Sequence, residues 1–358
     1  EVEYLRDQGV EEVIGRLEPQ MALPKLLWAL KQHPALKEKI GTVMTTGDFI
    51  AMQLTGVPTT SSSDAVSNGL IEQTSRKFAD DFICSIHGLK YFWFPPVVQS
   101  GSLIPWEKTS EYRSTDWCGV RSLLPGWRFI AGLGNYQAGA VGSGLDGLNT
   151  IIISAGTSGT VTRAVKFGTK IAGTPRQFEY FDYTLLLSIM ADCASWYDRF
   201  VKEFGQGKSH AALDGMIAPY GNVLCLPYPE TPDAEFPGWF YQMPLDTQVK
   251  TMQHSIAIRL VRHFREIVGA LPASEAEHAI ERVVLTGGLT RSQYFCKVLR
   301  DQLRFEDGFE GKIFVSSRTG PLANQAATLG ALINALVGAQ TYPTLAVAIK
   351  ALCPTREI

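Results

Sequence analysis

Apolar residues occur along the chain in two patterns, as short uninterrupted runs and as longer segments with helical spacing. Runs at 151–153, 282–286 and 312–316 predict buried strands, because β-branched residues suit a pleated, packed surface. The spacing in 255–271 predicts an amphipathic helix, and residues 22–40 show a similar period. Strands that alternate with helices predict an α/β class.

The same patterns indicate which side chains are buried. One face of the 255–271 helix is expected to carry Ala257, Leu260, Val261, Phe264 and Val268. Trp28 and Trp196 are expected to pack in the core. Residues 59–68 are polar and predict a loop, whereas 137–144 predicts a tightly packed helix and 323–337 a helix of small residues.

Composition narrows the class of protein. The 358 residues are 45% hydrophobic and 19% charged, as in soluble globular proteins of roughly two domains. A net charge of −2 with scattered basic residues argues against nucleic-acid binding, and no apolar stretch reaches the roughly 20 residues of a membrane span. Six dispersed cysteines without a CxxC pair predict no metal site and favour free thiols in a reducing, cytoplasmic compartment.

The run 151–153 leads directly into a cluster of small and hydroxyl-bearing residues. Gly156 and Gly159 permit a tight turn, while Thr157 and Ser158 add hydroxyls to the N–H groups of the turn. Such a turn is suited to holding a phosphate. The alternative is an ordinary hairpin between two core strands.

Four glycine-bearing segments follow one another in the order GLGNYQAGAVGSG (132–144), SAGTSGT (154–160), VVLTGGLTRSQYF (283–295) and TGPLANQAATLGA (319–331). Gly287 and Gly288 lie between a predicted strand and a predicted helix, where the backbone and the helix N-terminus can approach a phosphate or a flat ring. Open α/β sheets bind ligands at such strand ends. Residues 142–147 match GxGxxG but end a predicted helix, so they do not predict a dinucleotide site.

This series of segments resembles the FGGY carbohydrate kinases of the actin/hexokinase-like ATPase superfamily. SAGTSGT is similar to their second phosphate motif, VVLTGGLTRS to their adenosine motif and TGPLANQAATLGA to their second connecting helix. Earlier segments that also resemble family signatures are LPKLLWALKQ, TGDFIAMQLTG, SSSDAVSNGLIE and FPPVVQSGSLI. The resemblance covers nearly the whole chain, and xylulokinase-like members look most similar.

The resemblance implies a two-lobed, actin-like ATPase fold with a ribonuclease-H-like mixed sheet in each lobe. Residues 1–147 would form the sugar-binding N-terminal lobe, and residues 148–358 the ATP-binding C-terminal lobe. The family's first strand and its D-x-G-T-T-S-type phosphate loop do not occur in the sequence. We therefore expect the N-terminal lobe to be present only in its later part.

The resemblance also implies roles for individual residues. The β- and γ-phosphates of ATP would be cradled by Gly156, Thr157, Ser158, Gly159 and Thr160. Gly287, Gly288 and Ser292 would line the adenosine, and Asn324 would contact the nucleotide. Magnesium would neutralise phosphate charge.

Asn135 departs from the family pattern, because it occupies the slot of the catalytic aspartate in "GGxD". A neutral amide has no basic lone pair with which to accept the proton of a sugar hydroxyl, and general-base help is typically worth about 10²–10⁴-fold.

The implied function is ATP-dependent phosphorylation of a sugar or polyol hydroxyl, with a ketopentose among the candidates. A catalytically weakened homologue that binds sugar or nucleotide is the alternative. A third reading, an unrelated α/β dehydrogenase, is disfavoured by the misplaced GxGxxG. The sequence leaves a homodimer open.

Overall fold

A computed structural model describes residues 1–15, 17–19, 21–72, 84, 88–105, 127–173, 175–217, 223–226, 235–272, 280–318 and 325–358. Its α-helices are α1 (Val2–Asp7), α2 (Val10–Ile14), α3 (Ala22–Gln32), α4 (Thr46–Thr55), α5 (Ser62–Ser67), α6 (Asn135–Ser143), α7 (Ala194–Phe204), α8 (His210–Asp214), α9 (Gly238–Tyr241), α10 (Leu245–Gly269), α11 (Gln293–Asp301), α12 (Ala326–Gly338) and α13 (Leu345–Leu352). Its strands are β1 (Thr60–Ser61), β2 (Val97–Val98), β3 (Leu103–Ile104), β4 (Phe129–Ile130), β5 (Thr150–Ala155), β6 (Gly159–Lys166), β7 (Arg176–Tyr180), β8 (Tyr183–Met190), β9 (Arg282–Thr286), β10 (Lys312–Ser316) and β11 (Thr355–Glu357).

A seven-stranded mixed sheet with the order β11-β10-β9-β5-β6-β8-β7 forms the centre of the structure. The three strands predicted from apolar runs, β5, β9 and β10, are confirmed, and they run parallel to one another. β6, β7 and β8 extend the sheet as antiparallel strands. Because β5, β9 and β10 are parallel, their carboxyl ends meet at one edge of the sheet.

Helices cover both faces of this sheet. Ile151 and Ile153 on β5 point to a cluster that includes Phe200 of α7 and Leu260 of α10. Ile152, between them, points to the opposite cluster, where α3, α6, α12 and α13 contribute buried residues. This alternation follows from the two-residue period of a strand, and it explains why the run is apolar on every position.

Two small-residue helices, α6 and α12, cross in backbone contact. A Cβ placed on Gly142 would lie 1.8 Å from the carbonyl oxygen of Ala326, and one placed on Gly330 would lie 1.8 Å from that of Ala138. The tight packing predicted for 137–144 is therefore confirmed, and glycine is required at the crossing because no side chain fits there.

The prediction of a loop at residues 59–68 is wrong, since β1 and α5 occupy most of this segment. The Ser61 hydroxyl caps α5 by accepting a hydrogen bond from the N–H of Asp64 at 3.2 Å. The Ser63 hydroxyl is fully buried and accepts from the N–H of Gly134 at 2.9 Å. The polar side chains thus satisfy buried backbone groups, which a hydropathy pattern does not reveal.

Three expectations about burial have mixed outcomes. Trp196 is buried as expected, but Trp28 is 56% exposed because α3 turns Leu23, Leu27 and Leu30 inward instead. Val268 is 37% exposed, whereas Ile267 next to it is buried.

Over the described ranges, no helix has the length and apolar character needed to span a bilayer.

Candidate functional site

A cleft of about 790 Å³ lies at the edge of the sheet where β5 and β9 end. We call it the edge cleft. It is lined by the β5–β6 turn, residues 286–294, parts of α7 and α8, and Arg318 after β10.

The β5–β6 turn is held by the N-terminus of α7. The carbonyl of Gly156 accepts from the N–H of Ala194 at 2.9 Å, and that of Thr157 accepts from the N–H of Cys193 at 3.1 Å. The Ser195 hydroxyl also donates to the carbonyl of Thr157 at 3.0 Å. Because the carbonyls of Gly156 and Thr157 are engaged in this way, the N–H groups of the turn and the exposed hydroxyls of Thr157 and Ser158 are suited to meeting an anionic ligand.

Only part of the 156–160 motif lines the edge cleft. Gly156 and Thr157 do so, and Ser158 is exposed at the tip of the turn. Gly159 and Thr160 belong to β6, where they pair with Met190 and Ile189 of β8. A Cβ on Gly159 would lie 2.7 Å from the Leu260 side chain, so this glycine serves the packing of α10 on the sheet.

The β9 turn contacts the β5–β6 turn directly. Gly287 adopts φ 98° and ψ 171°, a region that is essentially restricted to glycine. A Cβ there would lie 2.4 Å from the carbonyl carbon of Ala155 and 2.7 Å from the nitrogen of Gly156. Gly287 and the following Gly288 both line the edge cleft, so the structure brings the two glycine turns together.

Ser292 lines the edge cleft from a buried position and begins α11. Its hydroxyl accepts from the N–H of Phe295 at 3.3 Å and donates to Oε1 of Gln253 at 2.7 Å. The Gln253 amide in turn donates to the Tyr197 hydroxyl at 3.0 Å and to the carboxylate of Asp214. Ser292 therefore joins a buried polar network rather than presenting a free hydroxyl.

That network includes two cleft residues that the sequence analysis missed. Tyr197 is 2% exposed and donates its hydroxyl to Asp214 at 3.3 Å. Burial raises the pKa of Asp214, and the hydrogen bonds from Gln253 and Tyr197 act in the opposite direction. No motif marks these residues, because they reach the cleft through the placement of α7 and α8.

Arg318 is a further cleft residue without a sequence signal beyond its place just after β10. Its guanidinium donates to the hydroxyls of Ser316 at 2.9 Å and Thr286 at 3.0 Å. It also donates to the carbonyl of Gly142, at the end of α6, at 2.6 Å. Arg318 thus joins β9 and β10 to the helix that begins with Asn135.

Asn135 is the first residue of α6, is exposed, and is not among the residues that line the edge cleft. The first turn of α6 is joined to β7 by Gln137, which is fully buried and donates to the carbonyl of Glu179 at 3.2 Å. Asn324 lies outside the described residues. Among the residues that are described, no three His, Cys, Asp or Glu side chains converge in a way that would hold a metal ion.

Two carboxyls of the N-terminal part of the chain, the buried Asp48 and the partly buried Asp64, have raised pKa values. Asp48 and Asp64 interact electrostatically, and burial raises the pKa of each. The Asp64 carboxylate accepts from the Ser61 hydroxyl at 3.0 Å. A Cβ on Gly132 would lie 4.0 Å from Oδ2 of Asp64, which places this carboxyl next to the loop that leads to Asn135.

Comparison with solved structures defines the class of fold. The xylulose kinase from Rhodospirillum rubrum matches all of this chain and 72% of its own, with a TM-score of 0.79 at 20% identity. Plasmodium falciparum glycerol kinase with ADP matches 97% of this chain and 69% of its own, with a TM-score of 0.75 at 14% identity. The protein has the two-lobed, actin-like ATPase fold of sugar kinases.

Sequence comparison finds similarity to one family within that class. Residues 7–142 match the model described as "FGGY family of carbohydrate kinases, N-terminal domain". The chain is 27% identical over 369 residues to the xylulose kinase of Escherichia coli (strain K12), covering 95% of this chain and 72% of that protein. It is 26% identical over 149 residues to the autoinducer-2 kinase of Salmonella typhimurium, covering 40% of this chain and 27% of that protein. Residues 7–142 are thus similar to the N-terminal domain of the FGGY carbohydrate kinases, and nearly the whole chain is similar to xylulose kinases in sequence and fold.

Proposed function

We propose that the protein transfers a phosphoryl group from ATP to a hydroxyl of a sugar or polyol. The observation that carries this proposal is the contact between the β5–β6 turn and Gly287 at the carboxyl edge of the sheet, which forms one wall of the edge cleft. The E. coli relative is named a xylulose kinase, so a ketopentose is the first candidate acceptor.

The residues of the edge cleft have separate tasks in this proposal. N–H groups and hydroxyls at 156–158 would hold the β- and γ-phosphates, since the carbonyls of Gly156 and Thr157 already accept hydrogen bonds from the α7 segment. Gly287 and Gly288 would pass close to the adenosine, with Ser292 fixing α11 beneath it. Phosphoryl transfer depends mainly on such positioning and on charge stabilisation.

In this proposal, Mg²⁺ would enter the edge cleft bound to the phosphates of the nucleotide. The described residues hold no group of three side chains suited to a metal, and the cleft carboxyls Asp198 and Asp214 lie on α7 and α8. Mg²⁺ usually keeps several waters and binds substrate phosphates with few protein ligands. Bound in this way, the ion would neutralise phosphate charge.

Asn135 supports a second candidate, a weakened kinase homologue that binds sugar or nucleotide. An amide at this position cannot take the proton of an attacking hydroxyl, whereas the glycine turns of the edge cleft are intact. Under this candidate nucleotide binding persists while sugar-dependent turnover is low.

One experiment separates the two candidates. ADP release is followed with a panel of ketoses, aldoses and polyols for the wild type, Asn135→Asp and the matched control Asn135→Ala. If Asn135 is a missing base, Asn135→Asp raises sugar-dependent turnover by about 10²–10⁴-fold and Asn135→Ala does not. Robust wild-type turnover that Asn135→Asp leaves unchanged would show that the protein needs no carboxylate at this position.

We also propose residues 1–147 and 148–358 as the two lobes. β5 to β11 all lie in the second part, which supports a sheet-centred unit there. A cytoplasmic location, a homodimer and the absence of nucleic-acid binding stay predictions.

A further inference from the structure

Within the described residues, Arg318 is a cation whose hydrogen-bond partners are all neutral groups. An arginine carries five N–H donors, and the described hydrogen bonds of Arg318 use one on each nitrogen, to Ser316, Gly142 and Thr286. Against the residues that the structure describes, Nη1 and Nη2 each keep one further N–H. The three bonds fix the plane of the guanidinium, so these two donors have a defined direction.

The charge of Arg318 has no acidic counterpart within the part of the chain that the structure describes. No carboxylate there lies within 4.0 Å of its nitrogens. Burial lowers the pKa of the guanidinium, because the charged form loses hydration that neutral partners replace only in part. Groups of this kind are stabilised when an anion binds beside them.

The location of Arg318 indicates which anion. It lines the edge cleft together with Gly156, Thr157 and Gly287, at the edge where parallel strands end. Arginine N–H groups bind phosphate oxygens in pairs, with roughly twice the strength of neutral hydrogen bonds.

We propose that Arg318 is a phosphate-binding residue of the edge cleft, and that its two remaining N–H groups hold a phosphate of the nucleotide. This inference rests on the proposed function for the identity of the ligand. It adds to that function a cation that compensates phosphate charge from the β9–β10 side of the cleft. The 156–160 motif itself contains no charged residue.

The test is calorimetric titration of the whole protein with ADP, adenosine and pyrophosphate. The variants are Arg318→Gln, Arg318→Lys and the control Arg128→Gln. Arg128 is exposed, donates to the carbonyl of Ala339 at 3.4 Å and does not line the edge cleft. Removing it changes net charge equally without touching the site.

We expect Arg318→Gln to weaken ADP and pyrophosphate binding by roughly 10- to 100-fold and to leave adenosine binding unchanged. Arg318→Lys keeps the charge but loses the paired geometry, so it should show a smaller loss for the same two ligands. Arg128→Gln should match the wild type. Unchanged adenosine affinity also shows that the cleft of the variant is folded.

Equal losses for ADP and adenosine would mean that Arg318 only supports the fold, and unchanged ADP affinity would mean that its free donors face no phosphate. Either result overturns the inference. If Arg318→Gln does not fold, Arg318→Lys decides between the same outcomes. If the wild type binds pyrophosphate but neither ADP nor adenosine, the proposed function fails, while the pyrophosphate series still tests Arg318.

Discussion

Neighbouring glycines at the end of β9 offer a matched pair of substitutions. Gly287→Ala would place a methyl group 2.4 Å from the carbonyl carbon of Ala155 and 2.5 Å from its oxygen. Both are backbone atoms of β5, so no side-chain rotation relieves the contact. Gly288→Ala, one residue later, would meet nothing within 4 Å.

The expected magnitude follows from two separate terms. Holding an alanine at the φ of 98° and ψ of 171° of Gly287 costs about 1–3 kcal/mol. Forcing β5 and β9 apart to admit the methyl group costs about 1–3 kcal/mol more. Gly287→Ala should therefore lower the free energy of unfolding by about 2–6 kcal/mol, whereas Gly288→Ala should change it by less than about 1 kcal/mol.

Chemical denaturation of the two variants and the wild type measures these differences, and calorimetry with ADP measures the site. Gly287→Ala should also lose ADP binding, because the β5–β6 turn is displaced by the same contact. If both variants unfold at the wild-type denaturant concentration, the two turns do not touch as described. If Gly287→Ala is destabilised but binds ADP normally, the contact supports the sheet alone.

Two further predictions follow from the same structure. On α6, Gly142→Ala should destabilise the protein by about 3 kcal/mol, because its methyl group would lie 1.8 Å from the carbonyl oxygen of Ala326. The control Gly139→Ala meets nothing within 4 Å and should stabilise the protein by about 0.5–1 kcal/mol. Equal melting temperatures for the two variants would contradict the helix crossing. Asp64→Asn should raise the melting temperature relative to wild type by an amount that grows as pH rises above 3.8. Burial holds the pKa of Asp64 in the folded protein above that ordinary value. In the wild type the carboxyl therefore ionises more readily in the unfolded chain, which stabilises the unfolded state. A melting-temperature difference that shrinks with rising pH would show that the Asp64 carboxylate is favoured in the fold.

The strand pattern shows how far the sequence carries the fold. Ile151, Ile152 and Ile153 are apolar on every position because β5 is covered on both faces, and this run was sufficient to predict a buried strand. Trp28 shows the limit of the same reasoning. Apolar character alone suggested a core position, but with 3.6 residues per turn Trp28 lies about 140° around α3 from Leu23, so the period that buries Leu23 and Leu27 turns it outward.

The candidate site divides in the same way. Gly156 and Gly287 could be found because a glycine at the end of an apolar strand is a local signal. The sequence could not predict Arg318, Tyr197 and Asp214 as site residues. They are brought to one cleft by the order of strands in the sheet and by the position of α7 and α8 at its edge. The polar residues at 59–68 predict a loop, because buried hydrogen bonds such as the one that the Ser63 hydroxyl accepts leave no periodic pattern.

Amide hydrogen exchange of the protein with and without MgADP tests the central claim most directly. The account predicts that nucleotide slows exchange in peptides containing residues 154–160 and 286–293, and leaves α13 at Leu345–Leu352 unchanged. Protection confined to other segments, or none at saturating MgADP, would contradict a nucleotide site between the two glycine turns.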